Sequence, residues 1–361
     1  MQMPLLIQAS VHSPSAFPGD PAPYAGADSF TFVHLRIRDV EGMTGHGFTG
    51  RFLAREVAGF LNNTVAESWP TLGEDPVGDL MARFNPRAMT GVVISALSAL
   101  NIALTDLRAK RSGVSVSTLL GGTRTKAPVH VTCGFSALDI DALVEACGRE
   151  VASGARGVKV LVAAKERGTG EDVARLKAVR EAIGMDADLI ADANCGMDFE
   201  TAKEFMSAVA DLNLAWLEEP VRANNRYELS KLAGQNIVPL GAGQMEQSAD
   251  RFALLGEAGV SVIQPNAVFA GGFRSAIDVA QRAASLGHII SPAGGWDILN
   301  LHWMCGAMGV GAIELHRAQA RIARLLMPNG PTLVDGNLHV PDAPGLGLEP
   351  DEGSLERCRV H

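Results

Sequence analysis

The sequence predicts an α/β chain in which a (β/α) barrel follows a separate α+β domain. Three observations carry this. Eight short apolar runs recur from Val129 onward, and eight is the number of strands that closes a barrel. Segments with apolar residues at three- and four-residue intervals separate the runs, as helices covering a sheet require. The first 125 residues differ in texture, with strand-like runs followed by a long helical one.

In chain order the runs are VHVTCGF (129–135), GVKVLV (157–162), DLIADAN (188–194), AWLEEP (215–220), VPLGAG (238–243), SVIQPN (261–266), HIISPA (288–293) and AIELHR (312–317). Each interval has room for a strand, a helix and two loops; EDVARLKAVREAIG and FETAKEFMSAVADL show the helical pattern clearly. An open doubly wound sheet is the competing arrangement for such alternation. Ahead of the barrel, the Pro- and Gly-rich stretch Pro14 to Ala27 reads as a loop, either plain surface or a lid over a pocket. It precedes a strand, FTFVHLRIRD, a turn, EGMTGHG, and a helix, SALSALNIALTDLRAKRSG.

Composition narrows the function class. The chain has 361 residues, 47% of them hydrophobic and 20% charged, which is ordinary for a globular protein. A net charge of −9 without a Lys/Arg cluster gives no footprint for nucleic acid or an anionic membrane, leaving small-molecule chemistry as the expectation. No apolar stretch is expected to span a membrane, and the N-terminus lacks a signal-peptide pattern. The five cysteines form no CxxC pair, so a reducing cytoplasm is expected.

Side chains at the C-terminal ends of barrel strands point into the site. Here they are Lys159, then Asp192 with Asn194, Glu218 with Glu219, Gln244 with Glu246, Gln264 with Asn266, and Glu314. Carboxylates converging from adjacent strands repel one another unless a cation lies between them. Oxygen ligands predict a hard ion, Mg²⁺ with Mn²⁺ as the alternative. Solvated caps or salt-bridge partners are the plainer reading of the same acids.

These residues resemble the enolase superfamily, in its mandelate racemase and muconate lactonizing branch, over nearly the whole chain. ALNIALTDLRAKRSGVSVSTLLGG resembles that branch's helix before the barrel, and VPDAPGLGLEPDE its closing segment. The resemblance implies a capping domain over 1–125, the barrel over 126–325, and a segment 326–361 returning to the cap. Asp192 and Glu218 stand 26 residues apart, as the branch's first two metal ligands do, and 26 more lands on Gln244. Most members carry an acid there, so the third ligand is either Gln244 through its carbonyl or Glu246.

The family chemistry is removal of a proton α to a carboxylate, with the metal meeting the developing charge. Many members place Lys-x-Lys on strand two; this chain reads Lys159-Val160-Leu161, leaving Lys159 as base or as anchor for the substrate carboxylate. The strand-seven His and strand-six Asp are replaced by Ala293 or Gly294 and by Asn266. Glu314 matches the acid that hydrogen-bonds the substrate carboxylate. Asp297 is a substitute catalytic candidate; Asn194, Asn266, His46 and Arg51 are substrate-contact candidates, and His302 is read as a core residue. The expected activity is dehydration of a hydroxy-acid or acid sugar, by a homo-oligomer. Cycloisomerisation or racemisation is the alternative, as is a non-catalytic barrel that binds metal or sugar acid.

Overall fold

The computed structural model of the chain describes residues 6–14, 30–165, 167–309, 311–327 and 332–361. Most of the stretch read as loop or lid, residues 15–27, lies outside the described residues.

Strands β1 (Leu6–His12), β2 (Phe32–Arg38) and β3 (Thr44–Thr49) form an antiparallel sheet in that order. A tight turn joins the last two: Asp39 Oδ1 accepts from the Glu41 and Met43 N–H groups, and Gly42 adopts φ +87°. Side chains alternate across a strand, so the sheet has two faces with different partners. Val33, Leu35 and Ile37 pack with Leu97, Leu100 and Leu104 of the helix Gly91–Arg111. Phe32 and Phe48 face the other way and join the barrel core. Gly47 explains the close fit on the helix side, because a Cβ there would lie 1.9 Å from the Ala99 carbonyl oxygen.

One expectation needs correcting here. The helix Gly91–Arg111 is, by length and composition, apolar enough to cross a membrane, yet 83% of that window is buried inside the fold. Its apolarity comes from being covered on all sides, since sheet, barrel and neighbouring helices each take a face. Asp106, fully buried on this helix, accepts from the His46 N–H (2.8 Å), the Leu346 N–H (2.8 Å) and Lys110 Nζ (2.7 Å). One carboxylate therefore joins the helix, β3 and the C-terminal segment.

All eight expected barrel strands are present: β4 (Lys126–Gly134), β5 (Gly157–Leu161), β6 (Asp188–Asp192), β7 (Leu214–Glu218), β8 (Leu240–Ala242), β9 (Val262–Ile263), β10 (Ile289–Ile290) and β11 (Ile313–His316). They pair in parallel from β4 to β10, and β11 pairs in parallel with β4 on its other edge. That return to the first strand separates a barrel from an open sheet. Between β10 and β11 the described residues form no ladder. Asp139, Asp198 and Ser248 begin three of the covering helices, each accepting the N–H three residues on. Beyond the barrel, the hairpin β12 (Leu333–Val334) and β13 (Asn337–His339) extends the base of β4. The chain ends against β1, where the Val11 N–H donates to the His361 carbonyl and the Val360 N–H to the Val11 carbonyl, both at 2.8 Å.

Two predictions follow from these contacts. Asp106→Ala leaves two buried N–H groups unpaired and takes one of two acceptors from Lys110, which keeps the Thr44 carbonyl, so it should lower stability by about 2–4 kcal/mol, read as a drop in the denaturant midpoint. His34 and His46 share a hydrogen bond of 2.9 Å inside the cap. Burial, then neighbouring positive groups, holds the His34 pKa well below its ordinary value and pushes that of His46 down to about 3. Folded pKa values below the unfolded value of about 6.5 mean the unfolded chain takes protons first as pH falls. The His46 contribution should be complete above pH ~6.5 and lost toward pH ~3, so that His46→Gln flattens the acid side of a Tm-against-pH curve.

Candidate active site

The barrel alternation determines which side chains meet at its mouth. Lys159 on β5, Asp192 on β6, Glu218 on β7 and Glu314 on β11 all point inward, and none is more than 5% exposed. Lys159 Nζ lies at the centre, 2.6 Å from Glu218 Oε1, 3.1 Å from Glu314 Oε1 and 3.6 Å from Asp192 Oδ2. Burial works against the ammonium, but Glu218, Glu314 and Asp192 outweigh it and raise its pKa above the ordinary lysine range.

Each acid is held by neutral donors as well. Glu218 Oε2 accepts from Trp216 Nε1 (3.0 Å) and Gln264 Nε2 (2.8 Å). Trp216 can cross the barrel because Gly241 lies beneath it; a Cβ there would be 2.4 Å from the indole. Glu314 accepts from the Thr132 hydroxyl through Oε1 and from the Gly295 N–H through Oε2 at 2.8 Å. Burial favours its neutral form, yet Lys159, His316, Thr132 and Gly295 prevail and keep the Glu314 pKa at about 2. Asp192 goes the other way. Burial first, then the Glu218 charge, raises its pKa well above the carboxylate range.

Beside this centre lies Glu219, absent from the expected set except as a neighbour in the motif. It is fully buried and accepts from Asn224 Nδ2 (3.1 Å) and Gln244 Nε2 (2.8 Å). Burial and then Glu218 raise its pKa. The contact gives a reason for an amide at position 244: a carboxylate there would face Glu219 at hydrogen-bonding distance. The other third-ligand candidate, Glu246, has both oxygens on Arg251, at 2.8 and 3.2 Å. Among the described residues no three His, Cys, Asp or Glu side chains are grouped so as to hold a metal ion, because the acids close around Lys159 instead. The donor chemistry nevertheless suits a hard cation. Asp192, Glu218 and Glu314 are three buried carboxylates around one ammonium, with the buried Glu219 beside them, an oxygen-rich set with fewer positive than negative groups.

Other expected site residues fall elsewhere. His46 does not reach the barrel mouth; it is buried in the cap, stacked on and hydrogen-bonded to His34. Asn266 is a structural residue: its amide donates to the Ala293 and Gly295 carbonyls and accepts from the Val268 N–H, pinning the strand-seven turn. Asn194 is exposed and left-handed at φ 45°, its N–H donating to Asp192 Oδ1 at 2.9 Å, so its backbone rather than its side chain orients the acid. Arg51 is exposed beside Phe52, which packs edge-on against Phe269 at the rim. Asp297 opens the helix after strand seven, in the wall of an apolar cleft with Trp296, Ile298 and Ile322. Burial, with Glu314 adding to it, raises its pKa to about 6. His302 is a core residue, bonded to the Ser117 N–H and the Leu346 carbonyl. At Gly294 the backbone is left-handed, φ +84°, a conformation that disfavours any side chain there.

Comparison with known proteins places this geometry. Residues 142–354 match the enolase C-terminal domain-like family, and residues 21–121 match the N-terminal domain of mandelate racemase and muconate lactonizing enzymes. The chain belongs to the enolase superfamily, in that branch. The L-talarate/galactarate dehydratase of Salmonella typhimurium is 32% identical over 72% of this chain and 67% of its own. The D-galactarolactone cycloisomerase of Agrobacterium fabrum is 28% identical over 75% of each chain. The Salmonella dehydratase crystallised with Mg and L-lyxarohydroxamate superposes at a TM-score of 0.85, with 25% identity over 98% of this chain and 92% of that one.

For a superfamily member the amide at 244 makes a sharp prediction. Gln244→Glu should lower Tm in EDTA by several degrees, through repulsion with Glu219, and millimolar Mg²⁺ should restore it. An unchanged Tm in EDTA would show that the two side chains do not face each other.

Proposed function

We propose that this chain is a Mg²⁺-dependent lyase that removes the proton α to the carboxylate of a hydroxy-acid or acid sugar and expels the β-hydroxyl. The observation that carries this reading is the buried set of Asp192, Glu218 and Glu314 around Lys159 Nζ, contributed by four barrel strands. The dehydratase relative supports the reaction class.

Asp192 and Glu218 would hold the ion, with Gln244 as the third ligand; its contact with Glu219, against the Arg251 pairing of Glu246, favours it over the latter. A bound Mg²⁺ supplies positive charge where negative charge develops on the substrate carboxylate. Lys159, kept protonated by its three acids, serves as an anchor for that carboxylate rather than as a base. Glu314 receives the other carboxylate oxygen, oriented by Thr132 and the Gly295 N–H. Arg51, exposed beside Phe52, would meet the distal end of the substrate. The expected setting is a reducing cytoplasm, from the five cysteines that form no CxxC pair. A homo-oligomer remains the expected assembly, measured by sedimentation.

Cycloisomerisation uses the same first step, and the Agrobacterium relative favours it as the second reading. Incubation with Mg²⁺ in D₂O against galactarate, L-talarate and D-galactarolactone separates the two, since only dehydration yields a 2-keto acid from an open-chain acid. Neither product formation nor α-deuterium on any of them would sink both readings for these substrates. Asp192→Asn should abolish the Mg²⁺-dependent rise in Tm along with turnover. Lys159→Met should raise KM at least tenfold; a lost kcat with unchanged KM would make Lys159 the base instead.

A further inference from the structure

The reaction needs a group that takes the proton, and the usual positions have none. Leu161 stands on strand two, Ala293 and Gly294 on strand seven, and Lys159 is locked among acids. Of the nine histidines in the sequence, three lie in the cap strands (His12, His34, His46). His130 pairs with Asp188 at the opposite end of the barrel, and His302 is buried in a helix. His288, His339 and His361 precede β10, end β13 and end the chain. His316 remains, the last residue of β11.

Its position follows from strand geometry. Two residues beyond Glu314, it shares the inward face and stands roughly 6–7 Å further toward the mouth. The register runs from His316 through Thr132 to Lys159, whose ammonium the three acids surround. Its ring packs at a tilt against Phe135, at 5.8 Å between centroids. Nδ1 is shut off from solvent and, among the described residues, has no hydrogen-bond partner. An imidazole nitrogen without a partner, on the strand face that carries the acid proposed to receive the substrate carboxylate, is a polar group the fold leaves unexplained.

We propose that His316 is the proton-transferring residue of this barrel, working alone. An imidazole nitrogen takes the α-proton, and the electron pair of the broken C–H bond passes into the enolate. The resulting imidazolium returns that proton to the β-hydroxyl. The C–O bond breaks, water leaves with its electron pair, and the enol becomes the 2-keto acid. Proton and charge balance with one residue, so bases on strands two and seven are not required. Burial lowers the His316 pKa against the pull of Glu314.

This inference rests on the lyase reading. Its test uses the wild-type protein, His316→Gln and His316→Asn with Mg²⁺ and whichever of galactarate, L-talarate or D-galactarolactone the wild type turns over. The expected result is a fall in kcat of about 100-fold or more, with KM within a few-fold and the Mg²⁺-dependent Tm shift retained. The acid limb of the wild-type kcat profile should vanish, and α-deuterium exchange should stop. A kcat within threefold of wild type, or a loss confined to KM, overturns the proposal while leaving the lyase reading intact. Should both variants lose their thermal transition, the imidazole ¹³Cε1–H signals of the wild type serve instead, and no imidazole signal moving on addition of substrate overturns it. A wild type silent toward all three compounds fails the lyase reading itself, and this one with it.

Discussion

Everything at the barrel mouth depends on one buried charge balance: a single ammonium, Lys159, set among Glu218, Glu314 and Asp192. Carboxylates brought this close in a water-poor interior cannot all ionise without compensation. Lys159 lies nearest to Glu218 and Glu314 and farther from Asp192; against burial it helps hold the Glu314 pKa at about 2, whereas burial and then the Glu218 charge raise that of Asp192. The neutral donors arranged around these acids, Trp216, Gln264, Thr132 and the Gly295 N–H, fix oxygens that would otherwise turn away from one another.

The same constraint reaches outward. Gly241 is small because Trp216 must lie over it to reach Glu218. Asn266 spends its amide on the turn that carries Gly295 to Glu314. That turn packs Trp296 against Phe48 and Phe32, so the cap sheet rests on the loop that orients a site acid. Asp106 then ties the sheet, its long helix and the closing segment together from behind. Cap and site are thus coupled by contiguous packing, which accounts for buried polar residues in the cap that touch no substrate.

The strands, the inward acids and the branch of the superfamily were legible in the sequence because each depends on local spacing. Alternation along a strand assigns its faces, and 26-residue intervals assign adjacent strand ends. The same alternation on AIELHR, followed two residues further, places His316 on the face of Glu314. His46 is a different case. A turn rich in Gly with one His suggests a loop near substrate, whereas the glycines admit a helix on one face and the histidine packs into a stack on the other.

What the sequence alone determined was therefore the architecture and the roster of charged groups at the strand ends. Tertiary structure decided how those groups spend their hydrogen bonds: Gln244 on Glu219, Glu246 on Arg251, Asn266 on the backbone, Lys159 on three acids at once. Strand periodicity is a property of neighbouring residues, so a linear reading recovers it. Partnership among buried polar groups depends on distances of a few ångströms between segments far apart in the chain, and those distances exist only once the barrel has closed.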